Sequence, residues 1–299
     1  MKKFLTLLIL AATIVSAQAS QIITVYWAFP ASDSPINYVR ALLDRANQMQ
    51  NRYTFVMIAT PGAGGAIGAN KTLASTDPAM LATAHAFFSR PMLFSDAGYK
   101  FDDFQLSTLL SVAPWAVVTR RDFDETRLYQ GAPITIGISG LGSSTHVVAE
   151  RIKNRFNNVN IVPFKGLGEA IVAVKGGHID MSLETVRSAE QHSDLKIFGT
   201  TGSRRVKTYK LLSDFGVLYT ENAVLGLFLL RPKTMSTAIS ADVDQILEQA
   251  NADNPLLKSM YSNDIVFFYN LKTQEQKTNW YQEQITGMRN LTRNIKIDQ

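Results

Sequence analysis

Short apolar runs alternate with longer amphipathic segments along most of the chain. The runs at 21–28, 53–59 and 80–85 are rich in β-branched and aromatic residues, which predicts buried strands. Between them, apolar residues recur every three or four positions and predict helices at 36–49 and 66–73. A repeated order of strand, loop and helix is typical of a sheet that is covered by helices on both faces.

The same alternation begins again near residue 130 and predicts a second α/β unit. Strands are expected at 134–139, 159–162, 179–183 and 195–200, with helices at 145–156 and 169–175. A further strand is expected within 106–118, and the last third predicts a strand at 223–230 and helices at 238–252, 255–261 and 273–291. We therefore predict two α/β lobes, one formed by 20–118 plus 226–299 and the other by 119–225.

The first 19 residues have the pattern of a cleavable secretory signal. Lys2 and Lys3 precede an apolar run from Phe4 to Val15, and residues 16–19 (SAQA) match a small-residue processing site. The apolar run is too short to span a bilayer as a helix. The chain has no Cys, which excludes a disulfide framework, a thiolate metal site and an N-terminal lipid anchor. We therefore predict an exported protein of the periplasm.

The composition of the 299 residues is that of an ordinary globular protein, with 46% hydrophobic and 18% charged residues. The formal net charge of +5 includes two lysines of the predicted signal. No dense basic patch with interleaved aromatic residues follows, so we do not expect nucleic-acid binding. The four histidines lack metal-ligand spacing, and we expect no metal and no cofactor.

Three glycine-rich loops each lie between a predicted strand and a predicted helix. They are 61–65 (PGAGG), 140–144 (GLGSS) and 165–168 (KGLG). In open α/β sheets the ligand crevice lies beyond the carboxyl ends of the strands, and a helix N-terminus offers free N–H groups to an anion. One such loop is more often only a tight turn. Three of them in two lobes favour a shared site for a carboxylate or a phosphate.

Nucleotide and enzyme motifs are incomplete in these loops. Ile67 stands where G-x-G-x-x-G has its third glycine, and Leu141 stands where G-x-S-x-G has its last. Ser144 and His146 are two positions apart at a helix start, where side chains do not face each other. We predict no catalytic residue, and an exported hydrolase that uses Ser144 or His146 remains a less favoured alternative.

Several segments of the chain match the motifs of one known family in order and spacing. They are 60–69 (TPGAGGAIGA), 142–146 (GSSTH), 162–166 (VPFKG) and 176–180 (GGHID). They are similar to PGAGG-x-IGA, GS-x-x-H, VPYKG and GG-x-[VI]-D. With them, nearly the whole chain after the signal resembles the periplasmic solute-binding receptors of tripartite tricarboxylate transporters, often called Bug proteins.

The resemblance implies a periplasmic-binding-protein type II fold: α/β, two-lobed, with mixed, mostly parallel sheets and helices on both faces. Such a receptor closes on a small organic acid, holds its carboxylate with backbone amides and loop hydroxyls, and delivers it to a membrane permease; a monomer is the default. We expect ligand contacts from Phe29, Pro30, Ser32, Ala63, Gly64, Gly65, Gly142, Ser143, Ser144, His146, Lys165 and Gly166.

The first loop, 31–35 (ASDSP), departs from the family pattern of a Gly-Gly pair followed by Asp. Asp33 would repel a carboxylate if it pointed into the site. We favour a role for Asp33 as the cap of the helix that begins at Ile36; alternatively, the ligand carries a cationic group. A ligand-free interaction scaffold is a further alternative. The predicted hinge lies near Trp115 and Ala116, with a second crossing near Gly226.

Overall fold

The computed structural model describes residues 20–33, 35–220, 223–255, 258–259, 271–293 and 295. The predicted signal, 1–19, and most of the predicted helix 255–261 lie outside the described residues. Of the helices within these ranges, none has the length and apolar character needed to cross a membrane.

The described strands agree closely with the apolar runs of the sequence. In chain order they are β1 (Gln21–Trp27), β2 (Tyr53–Ala59), β3 (Ala79–Ala84), β4 (Phe104–Arg120), β5 (Ile134–Ile138), β6 (Val159–Pro163), β7 (Met181–Thr185), β8 (Leu195–Thr200) and β9 (Val224–Pro232). They form a sheet in the order β2-β1-β3-β9-β4-β7-β5-β6, and β8 pairs with β4. The pairs β1–β2, β1–β3, β5–β6 and β5–β7 are parallel, whereas the pairs made by β4 and β9 are antiparallel.

Strand β4 connects the two halves of the molecule. Its first part, 104–114, pairs with β9, and its second part, 115–120, pairs with β7 and β8. Trp115 and Ala116 lie where β4 changes partners, as expected of a hinge. Gly226 lies within β9, opposite Val112. The limits of the lobes stay a prediction.

Helices cover both faces of the sheet. They are α1 (Ile36–Met49), α2 (Ala66–Ala74), α3 (Ala86–Leu93), α4 (Arg127–Gln130), α5 (Ser144–Arg155), α6 (Leu167–Lys175), α7 (Val186–Glu190), α8 (Thr237–Ala252) and α9 (Gln274–Thr292). Alternate residues of β3 show the two layers, because side chains of a strand point alternately to opposite faces. Met80 and Ala82 share a core with α1 and α8, whereas Leu81 packs with the aromatic residues of α3 and α9.

The sequence analysis did not predict three of the described helices, and in each case there is a physical reason for the omission. Helix α3 contains Pro91, which removes a backbone donor inside the helix. Helices α4 and α7 have four and five residues, which is too short for an apolar period to be visible. Helix α3 matters most, because it carries a residue of the candidate site.

Candidate functional site

A cleft of about 600 Å³ lies where loops from both halves of the sheet meet. These loops follow the carboxyl ends of β1, β2, β5 and β6, which is the edge of an open α/β sheet where ligands bind. Its volume is within the usual range for small-molecule sites. The lining residues are Ala28, Phe29, Pro30, Ser32, Asp33, Pro61, Gly62, Ala63, Gly64, Gly65, Arg90, Ser139, Gly140, Leu141, Phe164, Lys165, Gly166, Gly168 and Glu169.

The loop between β2 and α2 has an unusual backbone. Gly62, Ala63, Gly64 and Gly65 all have positive φ values, of 128°, 48°, 61° and 98°. Three glycines make this run possible at little steric cost, and Ala63 adopts the left-handed region in spite of its Cβ. The Gly65 N–H donates to Gly62 O at 3.0 Å and closes the turn. Such a curved backbone forms a concave set of N–H groups, called a nest, which is suited to binding an anion.

The loop before α5 is tied down by a helix cap. Ser143 is the N-cap residue, and its Oγ accepts a hydrogen bond from the His146 N–H at 3.1 Å. The same hydroxyl donates to Gly140 O at 2.8 Å. Ser143 was expected to contact the ligand, and in the structure its hydroxyl caps α5. Ser144, the first residue of α5, is buried and faces a smaller cavity beneath the cleft.

Gly142 and His146 do not line the cleft, and their expected contacts with a ligand stay a prediction. The Gly142 N–H donates to His146 Nδ1 at 3.1 Å, and His146 Nε2 lies 3.5 Å from Glu150 Oε1. Both contacts hold the imidazole at the start of α5. It is also engaged with Gly142 and Glu150 rather than with Ser144, which disfavours the hydrolase alternative.

The third loop brings Gly166 next to Asp33 of the first loop. A Cβ on Gly166 would lie only 2.9 Å from Asp33 Oδ1, so a larger residue here would displace the carboxylate. Gly166 is the N-cap residue of α6, and the Asp33 carboxylate accepts a hydrogen bond from the Leu167 N–H. A carboxylate from one half of the molecule thus occupies a helix N-terminus of the other half, where negative charge is favoured.

Our favoured interpretation of Asp33, as the side-chain cap of α1, is wrong. In the described part of this loop α1 has no side-chain cap, and Asp33 contributes only its backbone oxygen, which accepts from the Ile36 N–H at 3.1 Å. Burial raises the pKa of Asp33 to about 6, and the nearby negative charge of Glu169 adds to this, while the hydrogen bond from Leu167 acts in the opposite direction.

A smaller cavity of about 30 Å³ lies beneath the cleft, and we call it the deep cavity. It shares Phe29, Asp33 and Ser139 with the cleft and is therefore the inner end of the same site. Its other lining residues are Trp27, Pro35, Ala84, Ala86, Trp115, Ser143, Ser144, Leu167, Leu225 and Leu227.

Arg90 of α3 is a cleft residue that the sequence did not predict. It is only 7% exposed, and its Nη2 donates to Asp96 Oδ1 at 2.6 Å while the guanidinium lies 3.8 Å from the ring centre of Phe94. Its buried Nε has no hydrogen-bond partner among the described residues. From the resemblance we expected backbone amides and loop hydroxyls to hold the carboxylate, and no Arg was among the expected contacts. Arg90 could have been suspected from the sequence because it is a basic residue shortly after the carboxyl end of β3. The helix that carries it was not predicted because Pro91 interrupts its pattern.

A sequence profile described as the tripartite tricarboxylate transporter family receptor (TctC) matches residues 40–297. The chain belongs to this family. A UPF0065 protein of Bordetella pertussis is 19% identical over 228 residues, which cover 70% of this chain and 71% of that protein. Among solved structures, the periplasmic binding protein BugD has a TM-score of 0.81 at 18% identity, covering 91% of this chain and 97% of its own.

A second similar structure is MatC from Rhodopseudomonas palustris with bound malate. Its TM-score is 0.80 at 16% identity, and the match covers 91% of this chain and 98% of that one. At such identities these likenesses establish the fold alone. They confirm the two-lobed periplasmic-binding-protein type II architecture that the sequence predicted.

For this tripartite tricarboxylate receptor, the predicted ligand residues fall into three groups. The residues at the cleft are Phe29, Pro30, Ser32, Ala63, Gly64, Gly65, Lys165 and Gly166. Ser143 and Ser144 line the deep cavity, and Gly142 and His146 line neither. Their contacts with a ligand stay a prediction. Across the described ranges, no three His, Cys, Asp or Glu side chains are grouped so that they could hold a metal ion.

Proposed function

We propose that this receptor captures a small organic acid between its two lobes in the periplasm and delivers it to the permease of a tripartite transporter. The observation that carries the proposal is the cleft itself. It combines the nest at 62–65 with a buried Arg90, and it is bounded on the other side by loops 139–141 and 164–166. This is an anion site with room for a ligand of several carbon atoms.

Arg90 gives the site a positive charge that the backbone alone lacks. A guanidinium presents its donors in a planar fork that fits a carboxylate. Asp96 engages Nη2, and the buried Nε is free to donate. The malate held by MatC supports a ligand with two carboxylates, one for the nest and one for Arg90. No step of this function makes or breaks a covalent bond, so we propose a binding protein and not an enzyme.

Closure of the lobes would accompany binding. Ser89 Oγ donates to Gly142 O at 2.5 Å, and Asp33 accepts from the Leu167 N–H, so each contact joins the two sides of the cleft. A ligand that touches both sides binds the closed form better and shifts the population towards it. We propose 20–118 plus 226–299 and 119–225 as the moving bodies, and a monomer as the working form after removal of residues 1–19.

Isothermal titration calorimetry with acids of three to six carbons tests the binding step. We expect stoichiometric heat from at least one acid and none from its diamide, because the amide lacks the charge. Binding of none of the acids would refute the proposal. Product formation from ester substrates would support the hydrolase alternative instead. Loss of uptake of the bound acid when the gene is deleted tests the delivery step.

Two matched variants test the role of the nest. Gly64→Ala and Gly131→Ala both place a Cβ at positive φ (61° and 77°) without a close clash, so their strain is similar. Gly64 lies in the cleft, whereas Gly131 ends α4. We expect only Gly64→Ala to weaken acid binding, by about tenfold, because its distorted N–H groups no longer converge on the anion. An equal loss in both variants would remove the nest from the site.

A further inference from the structure

The deep cavity contains two buried polar atoms that lack partners. Trp115 is 2% exposed and Asp33 is 6% exposed, and both line this cavity. Neither Trp115 Nε1 nor Asp33 Oδ1 has a hydrogen-bond partner among the described residues. The other indole of the cavity contrasts with them, because Trp27 Nε1 donates to Pro30 O at 3.1 Å.

Unpaired buried polar groups are rare in proteins and costly, so two in one small cavity call for an explanation. One atom is an obligate donor, since an indole has only its N–H, and the other is the acceptor of a carboxylate. The cavity of about 30 Å³ has room for one group the size of a water molecule. Most of the remaining wall is apolar, with Phe29, Leu225 and Leu227. Its other polar side chains are Ser139, Ser143 and Ser144, and none of them is bonded to Trp115 Nε1 or Asp33 Oδ1.

We propose that the deep cavity is a hydroxyl subsite, and that it makes this receptor selective for hydroxy acids. The ligand hydroxyl donates to Asp33 Oδ1 and accepts from Trp115 Nε1, while the carboxylates occupy the wider cleft outside. This inference rests on the proposed capture of an organic acid and names its chemical class.

Other substituents fit the two atoms less well. An ammonium group donates to Asp33 but has no lone pair for the indole N–H, which would stay unpaired. A carboxylate accepts from the indole but brings a second negative charge against Asp33. A hydrogen or methyl group leaves both polar atoms unsatisfied. Only a group that is donor and acceptor at once satisfies both.

The experiment uses acids that differ at a single substituent. Calorimetry at pH 7.5 compares malate with succinate, lactate with propanoate and citrate with tricarballylate, and includes aspartate as the amino counterpart of malate. We expect each hydroxy acid that binds to be at least about tenfold tighter than its deoxy partner, because the deoxy acid leaves buried polar groups unpaired.

Variants assign the preference to the two side chains. Trp115→Phe removes the N–H but keeps most of the ring, and it should reduce the preference to within about threefold while the deoxy acid binds as before. Asp33→Ala should also reduce the ratio of the affinities for the hydroxy acid and the deoxy acid. Trp280→Phe on α9, which packs against Phe228 and His85 in an aromatic cluster, is the control and should leave this ratio of affinities unchanged. Unchanged binding of the deoxy acid shows that Trp115→Phe and Trp280→Phe are folded, and a cooperative urea transition shows the same for Asp33→Ala, which also loses a contact between the lobes.

Three results would overturn the subsite. They are equal binding of hydroxy and deoxy acids by the wild type, a preference that survives Trp115→Phe, and tighter binding of aspartate than of malate. In each of these cases an acid still binds, so the proposed function survives. Absence of binding for every acid would overturn the proposed function and the subsite together.

Discussion

Glu184 is a buried carboxyl group beside the hinge, and its titration should be visible in the stability of the receptor. It lies on β7 opposite Ala116 of β4 and is 4% exposed. Burial raises the pKa of Glu184 to about 7, and the negative charge of Asp33 adds to this. Hydrogen bonds from Thr185 and Ser188 act in the opposite direction. The folded receptor therefore binds a proton on Glu184 more tightly than the unfolded chain does.

The sign of the effect follows from linkage. A carboxyl group with a raised native pKa destabilises the fold as pH rises from its unfolded value of 4.5 towards its native value of about 7. At pH 8 a shift of this size corresponds to about 3 kcal/mol, and at pH 5 to about 1 kcal/mol. Glu184→Gln keeps an oxygen that can accept from the Thr185 N–H but cannot ionise. We therefore expect the stabilisation by this substitution to be about 2 kcal/mol larger at pH 8 than at pH 5.

Urea unfolding of the wild type and Glu184→Gln at pH 5, 6, 7 and 8 measures this difference. Glu283→Gln on the exposed side of α9 is the matched control and should change the stability little at any of these pH values. A Glu184→Gln variant that is destabilised, and increasingly so as pH rises, would refute the reasoning. It would mean that the fold requires the charged form of Glu184.

Two further substitutions test the contact between the lobes and the hydrogen bonds of Asp180. A Cβ on Gly142, where φ is 82°, would lie 3.0 Å from Phe94 Cε2 and 3.1 Å from Arg90 Cδ. Gly142→Ala should therefore hinder closure and weaken acid binding about tenfold. X-ray scattering should then show a larger radius of gyration for the ligand-saturated variant than for the wild type. Equal affinity of this variant and the wild type would contradict the lobe contact. Asp180 accepts from Arg127 Nη1 at 2.7 Å and from the Thr135 N–H at 2.8 Å; burial alone would raise its pKa, but these hydrogen bonds hold the pKa below its usual value. Asp180→Asn should cost about 1–2 kcal/mol in urea unfolding at pH 7, and the loss should shrink as pH falls below 4, whereas a loss independent of pH would exclude the charge as its origin.

Most of the fold was predictable because it rests on local patterns. The predicted bounds of α1, β2 and β8 match the structure, since each is an uninterrupted apolar period that ends in polar or turn-forming residues. Glycines in the sequence indicated the nest at 62–65, where the backbone has positive φ. A glycine also indicated the start of α6, where Asp33 lies close to Gly166.

The rest of the site depends on contacts between distant parts of the chain, which no local pattern encodes. Arg90 was not predicted because Pro91 interrupts the sequence pattern of its helix. In addition, Arg90 lies between Gly64 and Gly142, and this arrangement depends on the way in which the two lobes pack together. Asp33 was assigned to the nearest helix, α1, on the basis of sequence distance. Its partner is instead the Leu167 N–H, more than 130 positions away in the sequence.

The position of Asp33 connects selectivity with closure. Its carboxylate occupies the N-terminus of α6, so this terminus is already neutralised by the receptor's own charge and leaves the ligand carboxylates to the nest and Arg90. The Oδ1 atom of this carboxylate has no hydrogen-bond partner among the described residues, and Asp33 also lines the deep cavity. If the proposed hydroxyl subsite is correct, one side chain joins the lobes and also presents an acceptor to the ligand. A ligand that donates to this oxygen stabilises Asp33 in the position that the closed form requires, and a ligand that cannot donate leaves closure without that contribution.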